Sequence, residues 1–174
     1  MHPSSINNMR KIRDQFLRLP DQALVLDVGG RGLTSDRSYR HLFEGRCADY
    51  RVADICAGLG VTDIMPGPFT IPFPDQTFDL VVSGQMLEHS CNPFKSVAEM
   101  KRVLKIGGYL ALIAPSTGPW HDSQDGWRFL KDAFRFIAED VGGMEIIADW
   151  IDETAPDERS ARWRDHVFVG KRKA

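Results

Sequence analysis

Two acidic residues that each end a short apolar run are the first candidates for chemistry in this sequence. Asp27 closes the run VLD, and Gly29, Gly30 and Gly32 follow it, while Asp54 closes the run VAD. Glycine lets a backbone approach a ligand closely, and a carboxylate offers two acceptor oxygens to the two hydroxyls of a ribose. These residues predict a site for a nucleotide-like cofactor. An ordinary strand that turns after Asp27 is the alternative.

A second set of candidates lies in the segment PSTGPWHDSQDGWRFL, residues 115–130. A histidine titrates near neutrality, so His121 is a candidate base for the proton of a hydroxyl or an amine. Asp125 is expected to orient that imidazole or to bind an acceptor molecule. Asp125 and Arg128 are also spaced i and i+3, and a purely structural pair between them is therefore the alternative.

The short segment LEH adds a third catalytic candidate, His89, which is expected to face the same pocket. Its neighbour Glu88 is expected to hold the loop by accepting backbone amides. Trp120 and Trp127 are expected to form an apolar wall, with burial of Trp127 in the core as the alternative. No grouping of His, Cys and Asp in the sequence has metal-ligand spacing, so the sequence predicts no metal site.

The elements that must position these residues follow from the hydrophobic pattern. Ser4 and Ser5 are expected to cap a first helix, and Asn92 with Pro93 is expected to begin another. Strands are predicted at residues 23–28, 50–55, 78–83, 109–114, 145–151 and 166–169, helices at 6–19, 37–43, 93–104 and 131–139, and loops at 58–74, 115–127 and 152–164.

Strands that alternate with helices predict an α/β fold with a Rossmann-like, doubly wound and mostly parallel sheet. Helices are expected on both faces, the last strand is expected to be antiparallel, and ligands are expected at the carboxyl ends of the strands. The length favours a single domain over residues 1–174. Within it we expect an N-terminal helix (1–20), a cofactor-binding core (22–140) and C-terminal strands with a basic tail (141–174).

Composition narrows the classes of partner. The net charge is −2, so no overall field attracts nucleic acid or an anionic membrane. Cys47, Cys56 and Cys91 form no C-x-x-C pair, which indicates a reducing compartment rather than disulfides or zinc. No apolar run is long enough for a membrane helix or for a signal peptide. We therefore expect a cytoplasmic protein that binds no membrane.

The segment IPFPDQTFDLVVSGQMLEHSCNPFKSVAEMKRVLKIGGYLALIAPS, residues 71–116, carries a family resemblance. The order PF-P-D-x-x-FD, then LEH, then RVLK-x-GG and a strand into P-S resembles the class I S-adenosylmethionine-dependent methyltransferases, and in particular their type 11 branch. The resemblance covers residues 24–138. It implies the class I methyltransferase fold, the cofactor S-adenosylmethionine and the product S-adenosylhomocysteine.

The resemblance also assigns cofactor-binding residues. The glycine loop would hold the methionine part of the cofactor, the acid at the end of the second strand would hold the ribose, and residues 65–69 would lie against adenine. The end of the third predicted strand would line the methyl region. The residues concerned are Asp27, Gly29, Gly30, Arg31, Asp54, Ile55, Ser83, Gly84 and Gln85.

The sequence departs from the family pattern at two places. Arg31 and Leu33 replace later glycines of D-x-G-x-G-x-G, although DRSYRHLF resembles the end of a shortened loop in some members. Gly67 stands where an acid often binds adenine, and Asp63 is the nearest acid. GGRGLT does not supply the G-x-G-x-x-G of a dehydrogenase, and the G-K-[ST] of a P-loop is absent.

Three functions stay open. The first is methyl transfer to an oxygen or nitrogen of a small molecule, such as a sugar, a glycan or a secondary metabolite. The second is a pseudo-methyltransferase that serves as a scaffold or partner subunit. The third, a nucleic-acid methyltransferase, is disfavoured because Ser83-Gly84-Gln85-Met86 replaces N/D-P-P-[YF]. A homo-oligomer or a partner protein is compatible with each of them.

Overall fold

The fold is built on one mixed sheet of seven strands in a computed structural model that describes residues 2–32 and 38–174, apart from the Arg159 side chain. The strands are β1 (Leu24–Val28), β2 (Asp49–Asp54), β3 (Asp63–Ile64), β4 (Phe78–Gly84), β5 (Leu104–Pro115), β6 (Met144–Ile151) and β7 (Asp165–Arg172), and their order is β3-β2-β1-β4-β5-β7-β6. β1 to β5 pair in parallel, and β7 runs antiparallel to both β5 and β6. The predicted mostly parallel α/β sheet with an antiparallel last strand is confirmed.

Helices pack on both faces of the sheet, as the pattern predicted. They are α1 (Pro3–Gln15), α2 (Arg40–Phe43), α3 (Pro93–Val103), α4 (Ala133–Val141) and α5 (Glu158–Ala161). Alternation along β1 shows the two faces: Leu26 and Val28 join a core cluster that includes α3 and α4, while Val25 joins a second cluster that includes α1 and α2. Within the described ranges, no helix has the length and apolar character needed to span a bilayer.

The N-terminal helix differs from its prediction. It begins at Pro3 and ends at Gln15, and His2 is the N-cap residue without a side-chain cap bond. Ser4 and Ser5 were predicted to cap it, but both are buried inside the first turn and bond to Asp165 and Tyr39. Proline at the first helical position suits the start of a helix, because its missing N–H has no intrahelical partner there.

Other boundaries shift for local reasons. β3 lies inside the predicted loop 58–74 and was not predicted. It has only two residues, which pair with Ala53 and Asp54, and so short a strand leaves no apolar run in the sequence. β5 starts at Leu104 rather than at 109 and continues through Gly107 and Gly108, with a register irregularity opposite Phe78 and Leu80. α5 occupies part of the predicted connection 152–164. Residue 37, the predicted start of α2, lies outside the described residues.

The carboxylate of Asp165 ties α1 to the sheet. Asp165 is 1% exposed at the start of β7 and accepts hydrogen bonds from His2 Nε2 (3.0 Å), Ser4 Oγ (3.1 Å) and Gln85 Nε2 (3.0 Å). These donors come from the first turn of α1 and from the residue after β4. A single buried carboxylate thus joins three segments that are distant in sequence.

Replacement of Asp165 by alanine should destabilise the fold, because two buried donors and one partly buried donor lose their acceptor. We expect a loss of about 3 kcal/mol in the free energy of unfolding, measured by guanidinium denaturation. Asp21→Ala is the matched control, because Asp21 is exposed and should change stability by less than about 0.5 kcal/mol. Equal stability of the two variants would contradict the anchoring role of Asp165.

Candidate functional site

The predicted cofactor residues meet at the carboxyl edge of the sheet. β1 lies between β2 and β4 in parallel register, with Asp27 opposite Val52 on one side and Val82 on the other. The strand ends that carry the predicted residues are therefore adjacent. This is the edge at which an open α/β sheet binds its ligands.

Asp27 lies beneath the glycine loop rather than on its surface. It is 1% exposed, and its Oδ2 accepts a hydrogen bond from the Tyr50 hydroxyl at 2.8 Å. Burial raises the pKa of Asp27 to about 7, against the lowering effects of Tyr50 and of the Arg40 guanidinium. A Cβ on Gly30 would stand 2.5 Å from the Asp27 carboxyl carbon, so the loop closes over this carboxyl group only with glycine.

The glycine loop is tied to the loop that follows β2. Gly29, at φ +76°, donates its N–H to the Ala53 carbonyl at 2.8 Å, and Gly32 forms an isolated antiparallel bridge with Leu59. The stem of the exposed Arg31 side chain covers Gly58, where a Cβ would lie 2.6 Å from Arg31 Cδ. The departure at Arg31 therefore has a structural use, and Leu33 lies outside the described residues.

Asp54 and three exposed apolar side chains have the chemistry of a nucleoside site. Asp54 is 9% exposed, and its Oδ1 accepts the Cys56 N–H at 2.9 Å. Ile55 follows it in the chain, Ile64 is its register partner on β3 and Leu59 lies in the loop after β2, and each of the three is more than half exposed. A carboxylate at a strand end with apolar surface next to it fits a ribose and an adenine ring. This arrangement is the observation that suits S-adenosylmethionine.

The acid nearest to the predicted adenine position is already engaged. Asp63 receives two hydrogen bonds from the Arg51 guanidinium, at 2.6 and 2.9 Å, and the pair lowers the pKa of Asp63. Met65, at the start of the predicted adenine segment 65–69, is a core residue. Asp63 is therefore a poor replacement for the acid that Gly67 lacks.

The end of β4 is held by interactions of its own. Ser83 Oγ donates to the Val28 carbonyl at 2.8 Å, so its hydroxyl links β4 to β1. Tyr39 packs on Gly84 so closely that a Cβ there would overlap the phenol oxygen. Gln85 adopts φ +59° and reaches Asp165. Because the side chains of Ser83 and Gln85 are engaged in these contacts, a ligand at this turn would bind to its backbone groups.

The loop after β5 is irregular, but Arg128 holds it firmly. Its guanidinium donates to the carbonyls of Gly118 (3.1 Å) and Pro119 (2.6 Å) and to both carboxylate oxygens of Asp125. These bonds hold the pKa of Asp125 far below its usual range. The pair of Asp125 and Arg128 was the structural alternative, and the structure contains it.

Asp125 also orients His121, so the two predicted catalytic residues are in contact. His121 Nδ1 lies 2.8 Å from Asp125 Oδ2, and the Asp125 side chain is 0% exposed. Because an ionised carboxylate only accepts hydrogen bonds, the neutral form of this imidazole carries its proton on Nδ1 and keeps a lone pair on Nε2. Asp125 thus orients the imidazole and is covered by its partners.

His89 and Glu88 lie next to His121. The rings of His89 and His121 are 5.0 Å apart between centroids, and His89 Nδ1 lies 2.5 Å from the Gln124 carbonyl. Glu88 is 1% exposed, and burial raises its pKa to about 8. Sequence analysis assigned Glu88 only to loop support. Its importance comes from contacts with residues more than thirty positions away, which spacing cannot reveal.

A cavity of about 460 Å³ opens beside these groups. Trp120 and Trp127 both line it, so the predicted aromatic wall exists, whereas Phe129 lies in the core. Trp127 Nε1 donates to the Ser90 carbonyl at 2.8 Å. The lining consists of His89, Ser90, Cys91, Trp120, Ser123, Gln124, Asp125, Gly126 and Trp127.

Trp163 is a residue of this region that the sequence did not single out. Its ring contacts His121 (4.7 Å between centroids), lies under the Arg128 guanidinium (5.7 Å) and stacks on His2 (6.5 Å). Trp163 lies in the polar segment 152–164, which was predicted as a loop and has no hydrophobic periodicity. It joins the start of α1 to the loop that carries His121.

Comparison with known proteins finds a family match in the central part of the chain. Residues 41–112 match the family model described as a methyltransferase domain, that of the type 11 branch. The ubiquinone/menaquinone biosynthesis C-methyltransferase UbiE of Cronobacter sakazakii is 30% identical over 53% of this chain and 38% of its own length. The matched part of the chain spans between 15% and 38% of the length of the curated relatives it matches.

Solved structures share the fold across the chain. A chain from the complex of the Haloferax volcanii Trm112 methyltransferase activator with a methyltransferase aligns with TM-score 0.69 and 18% identity, covering 97% of this chain and 91% of that one. A SAM-dependent methyltransferase from Aquifex aeolicus aligns with TM-score 0.63 and 18% identity, covering 98% and 99%. Both comparisons show the class I methyltransferase fold.

The buried carboxyl group of Asp27 predicts a pH-dependent stability. Between its ordinary pKa of 3.8 and about 7, the folded protein retains a proton that the unfolded chain has lost. Stability therefore falls as the pH rises through this window. Asp27→Asn removes the titration, so the stability of the variant relative to wild type should increase from pH 4 to pH 8, by on the order of 4 kcal/mol.

Thermal unfolding across this pH range measures the effect. The charged and titratable groups that face Asp27 include Tyr50 and Asp54 from β2, Arg40 from α2 and Tyr39 just before α2, and all four stay unchanged in the variant. Asp21→Asn, at an exposed position, should give a difference from wild type that is independent of pH. A stability difference between Asp27→Asn and wild type that does not change with pH would contradict the raised pKa of Asp27.

Proposed function

From a class I methyltransferase fold whose residues 41–112 match the type 11 methyltransferase domain, we propose that this protein transfers a methyl group from S-adenosylmethionine to a small molecule. The observation that carries the proposal is the turn after β4. Ser83 to Gln85 end the strand on the predicted cofactor side, and His89 follows on the cavity wall. One short segment therefore borders both sites.

Binding of the cofactor is assigned to the ends of β1, β2 and β4. Asp54 would accept the ribose hydroxyls, Ile55 would lie against the base, and the backbone of Gly29 and Gly30 would face the methionine part. Bound S-adenosylmethionine supplies a methyl group on a sulfonium that is already a good leaving group. The chain then has to align the acceptor and exclude water.

The acceptor is assigned to the cavity lined by His89, Trp120 and Trp127. Two tryptophans suit a ring or another flat apolar body, and the imidazoles suit a polar atom at its edge. Because Nδ1 of His121 donates to Asp125, its Nε2 is available to accept a proton from a hydroxyl or amine. Asp125 orients this imidazole, and we infer an oxygen or nitrogen acceptor in a small molecule.

A scaffold role is the second candidate, and one feature favours it. The Gly32–Leu59 bridge and the Arg31 stem on Gly58 join the two loops between which the cofactor would lie. A partner protein is compatible with both candidates, since a structural neighbour was solved together with a methyltransferase activator. Calorimetric titration with S-adenosylmethionine and S-adenosylhomocysteine separates the two: micromolar binding supports the enzyme, and absence of binding at millimolar concentration supports the scaffold.

Replacement of Asp54 by alanine should weaken cofactor binding, because a charge-assisted contact with the ribose is lost. We expect a cost of about 1–3 kcal/mol, or about 5- to 150-fold in Kd, by calorimetry. Asp49→Ala is the control, because Asp49 is an exposed acid at the opposite end of the same strand. An unchanged Kd for Asp54→Ala would remove Asp54 from the cofactor site.

Replacement of His121 by alanine should lower turnover far more than cofactor affinity. Release of S-adenosylhomocysteine measures turnover against a panel of phenols, quinols, sugars and amines, and we expect a loss of about 100-fold or more. His41→Ala is the control, because His41 is exposed on α2. Loss of folding in His121→Ala, detected by circular dichroism, would assign His121 a structural role instead.

A further inference from the structure

Glu88 carries an unpaired buried oxygen. Glu88 Oε2 has less than 1 Å² of exposed surface and no hydrogen-bond partner among the described residues. A buried carboxylate oxygen without a partner costs free energy, and the nearby Asp125 and Asp165 carboxylates make a second negative charge less favourable still. A cation bound by this carboxyl group would relieve both effects.

Two imidazoles already present lone pairs near that carboxylate. His89 Nδ1 faces the Gln124 carbonyl and His121 Nδ1 faces Asp125 Oδ2. Both partners are acceptors, so each imidazole in its neutral form carries its proton on Nδ1 and keeps a lone pair on Nε2. This is the arrangement in which proteins hold metal-binding histidines, with the second ring nitrogen bonded to a carbonyl or carboxylate.

The three groups are within the reach of one ion. One carboxylate oxygen of Glu88 and one ring nitrogen from each of His89 and His121 lie within 4.8 Å of one another. His89 Nε2 is 3.8 Å from Glu88 Oε1. Ligands of a tetrahedral zinc ion stand about 3.4 Å apart, so small rotations of two partly exposed rings complete the geometry.

We propose that Glu88, His89 and His121 bind a divalent transition-metal ion at the edge of the acceptor cavity. Two imidazoles and one carboxylate favour Zn²⁺, Co²⁺ or Fe²⁺ over Mg²⁺ and Ca²⁺, which prefer oxygen ligands. Three protein ligands with solvent on one side leave coordination positions open. The sequence predicted no metal because His89 and His121 lie on separate segments, which Arg128 and Asp125 bring together.

The open position gives the ion a role in methyl transfer, and this role rests on the proposed function. An acceptor hydroxyl bound to the ion loses its proton to solvent more readily, as metal-bound water does. The resulting oxygen forms a bond to the methyl carbon, and the electron pair of the broken carbon–sulfur bond stays on sulfur. In this arrangement the Nε2 lone pair of His121 binds the ion, and the ion replaces that imidazole as the group that promotes loss of the acceptor proton.

Metal binding can be measured without cofactor or acceptor. Chelator-treated protein is titrated with Zn²⁺ by calorimetry and with Co²⁺ by its visible absorption. We expect one ion per chain, a higher Tm with metal, and a loss of about 100-fold or more in affinity for Glu88→Gln or His121→Asn. Glu88→Gln keeps the shape of the side chain, so folding of this variant should be retained.

Matched controls separate this site from adventitious binding. His41→Ala, on α2, and Cys91→Ser, which removes a thiol from the cavity wall, should both bind metal like wild type. Metal affinity that is lost in Cys91→Ser but kept in Glu88→Gln, or equal in wild type and Glu88→Gln, would overturn the proposal. Metal binding with no S-adenosylmethionine binding would retain the site and reject the proposed function.

Discussion

The burial of carboxyl groups is the constraint around which the carboxyl edge of the sheet is organised. Asp27, Asp125 and Asp165 each have little or no exposure on the carboxyl side chain. Asp27 and Asp165 accept hydrogen bonds from segments distant in sequence, and Asp125 accepts them from His121 and Arg128 within its own loop. Because a buried carboxylate is costly unless it is bonded, these contacts fix how α1, the loop after β5 and β2 pack. Glu88 is the exception among them, since one of its oxygens has no partner among the described residues.

The sequence predicted the central strands of the sheet better than the short edge strand β3 and the start of α1. Continuous apolar runs such as VLDV and the strand after Gly108 located the central strands, because burial on both faces leaves that signature. β3 has only two residues and leaves no run. The start of α1 depends on Asp165, which is more than 160 positions away, and no local cap signal could reveal that contact.

The candidate site shows the same division. The sequence singled out Asp27 and Asp54 because strand ends and glycines are local signals, and His121 with Asp125 because they share one segment. The neighbourhood of Glu88, His89 and His121 depends on how Arg128 folds the loop after β5. The position of Asp27 under Gly30 is visible only in the three-dimensional structure. The sequence alone does not distinguish a carboxyl group that contacts a ligand from one that supports the loop.

The stacking of His2 on Trp163 has a consequence for the placement of an affinity tag. The same tryptophan contacts His121, so the start of α1 lies beside the cavity. A polyhistidine tag fused ahead of His2 would bring extra imidazoles to this region and compete for any ion or acceptor there. β7 runs away from this edge, and its Arg172 bonds to the Leu104 carbonyl at the amino end of β5. Purification handles therefore belong after residue 174.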